Sequence, residues 1–206
     1  MNITDADRLA VENAIAEAEK NTSGEIVAVI ARASGTYYYV PYLWAAIAAL
    51  IVPWPLIYWT WIPVQEVYLL QLAVFVALAA LLHYEPLRFA LVPRGVKRQR
   101  AHQRAMQQFV AQDIYTAPGH TGALLFVSVA ERYAEIVVDS QIHAKVPDFE
   151  WESIIRKLTG DIGRGEAGSG LVEAIRSIGA HLAAHFPPSA NKQNLLPNHL
   201  VMLDAE

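Results

Sequence analysis

Residues 37–63 read YYYVPYLWAAIAALIVPWPLIYWTWIP and contain no Asp, Glu, Lys, Arg or His. A helix needs about 20 mostly apolar residues to cross the hydrocarbon core of a bilayer, and this run is long enough. Rings crowd its two ends, with Tyr37, Tyr38, Tyr39, Tyr42 and Trp44 on one side and Trp54, Tyr58, Trp59 and Trp61 on the other. Amphipathic rings gather in this way at membrane–water interfaces. A second run, Val67 to Val92, follows after a turn too short to hold a domain, and its charge-free centre is Leu69 to Leu82. Together the runs read as a transmembrane hairpin over residues 37–92. The competing explanation, two core helices of a soluble protein, needs a much larger core than this chain can supply.

Pro41, Pro53 and Pro55 predict a kinked first helix, because each removes a backbone donor. The last third of the second run holds His83, Glu85, Pro86 and Arg88. Glu85 and Arg88 are three residues apart and share a helical face. The expectation is an interfacial pair whose side chains snorkel outward; a buried functional pair is the alternative, since charge inside a membrane is costly. Cations follow at once: Arg94, Lys97, Arg98, Arg100 and Arg104. Before the hairpin the nearest cation is Arg32, and the loop from Ile62 to Val67 carries only Glu66. By the positive-inside rule both ends of the hairpin face the cytoplasm, in an inner membrane crossed twice.

The remaining sequence is sufficient for one further domain out of 206 residues. A net charge of −4 argues against nucleic acid as a partner, and the basic cluster is better assigned to the membrane. The absence of cysteine excludes disulfides, thiolate zinc sites and a thiol nucleophile. The polar, acidic start MNITDADRLA does not read as a cleavable signal, so the hairpin would itself direct the chain to the membrane.

Working outward from the hairpin, Thr4 is placed to cap a helix that runs to Lys20, with Asp5 and Asp7 in its first turn. Glu25 to Ala31 (EIVAVIA) is a short β-branched run bounded by turn residues, hence a buried strand. Beyond the hairpin, Val96 to Tyr115 reads as a helix that Pro118-Gly119 breaks. Ala123–Val129 and Tyr133–Asp139 read as two strands joined by a tight antiparallel turn. Phe149–Thr159 and Leu171–Phe186 read as helices around a glycine-rich loop, and residues 188–206 as a loose tail. Neither side of the hairpin can bury its own strands. The domain is therefore expected to be discontinuous, 1–34 plus 95–187, with the first two strands parallel across a right-handed crossover. The fold class is α/β, a three-layer α/β/α sandwich with a small mixed sheet, interrupted by the transmembrane hairpin.

Three segments carry a family resemblance: Asn21 to Val27 (NTSGEIV), Thr121 to Arg132 (TGALLFVSVAER) and Ala134 to Asp139 (AEIVVD). With Trp151 and the stretch from Gly165 to Ile175, they resemble the TPM domain family over about 1–34 and 95–187. The resemblance implies an α/β/α sandwich, often membrane-tethered, and its membrane-inserted bacterial members are the nearest in kind. It also implies roles in photosystem repair, as ion-channel accessories or, in some members, acid phosphatase activity with bound calcium. The better-studied branch has a G-x-G-L-E loop after its third strand. Here Val138-Asp139-Ser140-Gln141-Ile142-His143 stands in that place, lacking both glycines and the acidic residue.

Topology alone gives one candidate site. If the first two strands are parallel and the third returns, Glu25, His120, Thr121, Asp139 and His143 converge at one end of the sheet. Two carboxylates with a hydroxyl and nearby carbonyls suit Ca²⁺ or another hard divalent cation, and the imidazoles would favour a transition metal. The plainer explanation is that strand ends carry polar residues that face water. Other constellations are weaker. Gly160 to Gly170 could cradle a phosphate but matches no nucleotide fingerprint. His181 and His185 have metal-ligand spacing without a third ligand, and Ser128 lacks the glycines of a nucleophile elbow.

The function expected first is a membrane-tethered accessory or interaction module, with the lipid bilayer and another membrane protein, or a second copy, as partners. The alternative is a divalent-metal phosphatase using Glu25, Asp139 and Lys145. A channel of oligomerised hairpins has only Gln71, His83 and Glu85 to line it.

Overall fold

The computed structural model describes residues 3–117, 119–188 and 199–204. Pro118, residues 189–198 of the expected tail and the side chain of Glu85 lie outside the described residues. The chain divides into two compact units, Met1–Ser34 with Arg98–Glu206, and Gly35–Lys97.

The first unit is the α/β sandwich. Helix α1 (Asp5–Glu19) begins at a reciprocal capping box. Thr4 Oγ1 accepts from the Asp7 N–H at 3.2 Å, and the Asp7 carboxylate accepts from the Thr4 N–H at 3.0 Å. These bonds, the Thr4 hydroxyl first, hold Asp7 below the ordinary carboxylate range. Four strands follow: β1 (Glu25–Ala31), β2 (Gly122–Ser128), β3 (Tyr133–Val138) and β4 (Leu200–Leu203). Their order in the sheet is β3-β2-β1-β4. Strands β1 and β2 are parallel with Glu25 opposite Gly122, β3 runs antiparallel to β2, and β4 lies parallel to β1. The uninterrupted apolar run of β1 from Ile26 to Ala31 suits a central strand covered on both faces.

The loose tail expected from residue 188 onward is corrected at its far end. Leu200–Leu203 joins the sheet because β1, buried throughout, has a second edge whose N–H and C=O groups need partners.

Alternation along the strands builds two cores. Ile26, Ala28, Ile30, Leu125 and Val127 face α1, α8 (Asp148–Gly163) and α9 (Ala167–His185), meeting Ile15, Trp151, Leu158, Leu171 and Ile175. On the opposite face Val27, Val29, Leu124 and Phe126 meet Ala105 and Phe109 of α6 (Arg94–Ala111), together with Ile114 from the 3-10 turn Ile114–Thr116. Helices therefore cover both faces of a mixed sheet, the three layers expected. Close approach of α9 to α1 depends on Gly179, where a Cβ would lie 2.5 Å from the Ala18 Cβ. The glycine-rich loop expected over 160–170 is mostly helical: α8 continues to Gly163 and α9 starts at Ala167. The buried Asp161, paired with Arg164, packs on Gly170 and makes this turn a helix–helix contact rather than a phosphate cradle.

The second unit consists of α2 (Tyr39–Ile51), α3 (Pro53–Trp59), α4 (Val64–Leu82) and α5 (Glu85–Leu91), ending in the first residues of α6. The break between α2 and α3 falls at Val52, immediately before Pro53, as the prolines require. Two stretches, Tyr39–Trp59 and Val64–Leu82, are long and apolar enough to cross a membrane. Their large side chains point outward, Trp54, Tyr58, Trp59, Leu69 and Leu72 among them. Tyr37, Val40 and Val92 form a small buried cluster against Phe89, Leu91 and Val96. Arg88 departs from the snorkelling expected of it: only 8% of it is exposed, and its guanidinium carbon lies 4.7 Å from the centre of the Tyr38 ring. The ring face offers the cation a nearer electrostatic partner than the outside does.

Candidate functional site

The sheet has polar groups at both ends. At the end where β1 and β2 start, backbone hydrogen bonds bring the expected residues together. The Glu25 N–H donates to the Thr121 carbonyl at 3.2 Å, and the Asp139 N–H donates to the Gly122 carbonyl at 2.9 Å. Gly122 is needed at this corner, since a Cβ there would lie 2.4 Å from Ile114 Cγ2. His120 sits in the left-handed region, φ 54°, and its Nδ1 lies 3.3 Å from Asp139 Oδ2. Asp139 Oδ1 accepts from the Ser140 N–H at 2.6 Å, starting the short helix α7 (Ser140–His143).

Glu25, His120, Thr121 and Asp139 thus occupy one end of the sheet, and their exposures differ. Glu25 is fully buried and Thr121 nearly so, whereas His120 is open to solvent. Strand alternation sends Glu25 and Asp139 toward the α6 face, with Val27 and Val137, and Thr121 toward the other. His143 is not brought to the group: it lies one turn on, with its Nδ1 3.4 Å from Asp148 Oδ1 and both side chains exposed.

Two residues at this end have no counterpart in the sequence reading. Glu19 Oε1 accepts from the Ile26 N–H at 2.8 Å, and the Thr22 hydroxyl donates to the Phe186 carbonyl at 2.6 Å, both within buried surroundings. Glu19 stands at the end of an amphipathic helix, where sequence marks it as a surface residue. Thr22 reads as one turn residue among several. Among the described residues no three His, Asp or Glu side chains gather into a metal-binding group. A calcium ion here would take most of its six to eight oxygens from carbonyls and water.

The opposite end, where β1 and β2 finish, is more fully connected. Glu131 is buried, and its carboxylate accepts the Ser34 N–H at 3.1 and 3.0 Å as well as the Ser128 hydroxyl. The Ser34 hydroxyl in turn donates to Ser128 Oγ at 2.8 Å. Among the described residues Ser128 hydrogen-bonds a carboxylate and a second hydroxyl rather than an imidazole, so it is not poised as a nucleophile. The network ties the β2–β3 turn to the segment leaving β1. Beside it lies a cleft of about 450 Å³ lined by Val127, Val129, Ala134 and Ile162, with Arg132 and Thr159. Carboxyl ends of parallel strands commonly form ligand crevices. The sequence carries no signal for this cleft, because its lining comes from two separate stretches, 127–134 and 159–163.

On the α6 face a third group forms at the sheet edge. The Tyr133 hydroxyl donates to Glu135 Oε2 at 3.0 Å, and His102 Nδ1 lies 2.9 Å from Glu135 Oε1. Burial, then the Glu135 charge, pushes Tyr133 up to about 12. The remaining candidates serve packing. His181 meets the Trp151 ring edge-on at 5.6 Å, and the Lys145 ammonium lies 4.4 Å from the centre of the Phe186 ring.

The family model described as TPM domain matches residues 85–181, which hold β2, β3, α7, α8 and most of α9. No curated protein matches the chain. Among solved structures, the chain is similar to the NMR structure of the BA42 protein from the psychrophilic bacterium Bizionia argentinensis, with 21% identity and a TM-score of 0.60. That likeness, which covers 98% of this chain and 96% of the other, is one of fold.

Proposed function

We propose that this chain, whose residues 85–181 match the TPM domain family model, works as a membrane-tethered TPM domain serving another membrane protein or complex as an accessory or interaction module. One observation carries this: two helices long and apolar enough to span a bilayer, their large side chains outward, are inserted between β1 and β2 of the domain. Such an insertion fixes the domain to the bilayer surface at both of its internal ends, which limits where it can meet a partner. The cations from Arg94 to Arg104 support a cytoplasmic location for the domain and for both chain ends.

Reporter fusions at Gln65 and after the last residue test the topology; a cytoplasmic signal at Gln65 would overturn it. Photocrosslinking from exposed positions of the sandwich in native membranes tests the partner, and the expected product is one membrane protein, or a second copy, in near-stoichiometric yield.

A second reading, a divalent-metal phosphatase, draws support from the gathering of Glu25, His120, Thr121 and Asp139 at one end of the sheet. Its test is hydrolysis of a phosphomonoester by the purified full-length protein with Ca²⁺, Mg²⁺, Mn²⁺ or Zn²⁺. Turnover that needs the metal and disappears in Asp139→Ala would replace the accessory reading. No turnover with any of the four would leave the accessory role standing.

A further inference from the structure

Arg88 is the cation in the hairpin unit with the least access to water. Its Nε is buried without a hydrogen-bond partner, and it has no ion-pair partner among the described residues. The guanidinium carbon lies 4.7 Å from the Tyr38 ring centre and 5.6 Å from that of Phe89. Tyr38 is itself stacked on His83, with ring centres 6.1 Å apart and planes within 11°. Phe89 meets Tyr37 edge-on at 5.4 Å. Two ring systems thus lie against the guanidinium. Ring faces attract the charge but do not accept its in-plane N–H groups, of which arginine has five. A buried cation without a counter-anion is costly, so the arrangement calls for an anion that approaches in the plane of the guanidinium.

The location narrows the choice. Arg88 follows the second apolar span by a few residues, and Tyr38 immediately precedes the first. Both therefore lie where the chain crosses from hydrocarbon to headgroups, a layer whose fixed anion is phosphate. Arg94 and Lys97 come next in sequence, with Val96 packed into the same small cluster as Phe89. No acidic residue lies between Arg94 and Ala111. Flanking cations favour a headgroup that keeps its net negative charge over one that cancels it with an ammonium.

We propose that Arg88, packed against Tyr38 and Phe89, binds the phosphate of an anionic phospholipid through paired N–H donors. This rests on the membrane-tethered reading above.

The test uses the full-length protein in a non-ionic detergent. Short-chain phosphatidylglycerol, phosphatidylcholine with the same chains, and inorganic phosphate are titrated separately, with thermal stability and native mass spectrometry as readouts. The expected result is phosphatidylglycerol bound about tenfold more tightly than phosphatidylcholine, with the difference lost in Arg88→Gln and reduced in Arg88→Lys, which keeps charge but not the planar fork. Should Arg88→Gln fail to fold, Tyr38→Leu keeps the cation and removes the ring beneath it, and should weaken phosphatidylglycerol binding severalfold. Equal binding of the two lipids, unchanged binding in these variants, or inorganic phosphate stabilising as well as the lipid would each overturn the proposal. Extraction of the wild-type chain from native membranes by alkaline carbonate, read before any lipid is added, would instead overturn the tether itself.

Discussion

In the α/β unit, Phe126, Leu125 and Ile15 are fully buried while most charges lie outside; in the hairpin unit, Trp59, Tyr58 and Leu69 face outward while the cation Arg88 lies within. The same side-chain chemistry is sorted in opposite directions along one chain. The hydrophobic effect sorts apolar groups inward only where water is the solvent. An outer surface of Leu, Val and Trp is stable where the solvent is lipid, and a polar group there is the one that seeks cover. The contrast therefore says more about the surroundings of each unit than about its helices.

The contrast can be broken most severely from the α/β side. Phe126→Ala should destabilise that unit by about 3–5 kcal/mol, because a fully buried ring leaves a cavity between two packed layers. Chemical unfolding of the full-length protein, followed by tryptophan fluorescence from Trp151, measures this. Leu72→Arg tests the other unit. A charge on the outer face of α4 should cost insertion about 2.5–3.5 kcal/mol and lower the carbonate-resistant fraction, whereas Leu72→Ala should be nearly neutral. If both Leu72 variants insert like the wild type, the outer face does not meet lipid.

A smaller effect is expected from Glu131→Ala. It leaves the Ser34 N–H and the Ser128 hydroxyl without their acceptor at the end of the sheet, at about 1–3 kcal/mol. Hydrogen exchange at Ser34 should rise more than exchange in β1. The smallest effect appears only in base. The folded state keeps the Tyr133 proton up to about 12, above the model-peptide value of 10.0. Stability is then fully present below pH 10 and declines as pH rises toward 12, because the unfolded chain releases that proton first. Tyr133→Phe should remove this part of the decline in a pH series of thermal melts.

How much was legible in the sequence follows the same division. The two apolar helices could be read because a long charge-free run is its own signal, and β1 because both its faces are covered. Strand β4 could not. Leu200–Leu203 is four residues long, shorter than any alternation can mark, and follows Asn- and Pro-containing sequence typical of loops. The gathering of Glu25, His120, Thr121 and Asp139 followed from strand directions alone, which hydrophobic patterning does reveal. His143 fell outside it because a one-turn helix, started by Asp139 itself, rotates the chain away. Glu19 goes unnoticed and Arg88 is misassigned for one reason: a charged side chain in a helix looks solvent-facing until the element beside it is known. For Glu19 that element is the backbone of β1; for Arg88 it is a tyrosine fifty residues earlier.

The parallel placement of β4 beside β1 also sets a timetable for biogenesis. Strand β1 leaves the ribosome before the hairpin, yet both of its neighbours are encoded after it, the last of them roughly 170 residues later. At translation rates of about 5–20 residues per second, β1 waits roughly ten to thirty seconds for its second partner. During that interval the nascent chain presents the unpaired apolar edges of β1 to any chaperone nearby. Synthesis of the two apolar spans therefore precedes assembly of the sandwich, and the domain is completed only as its distant end arrives.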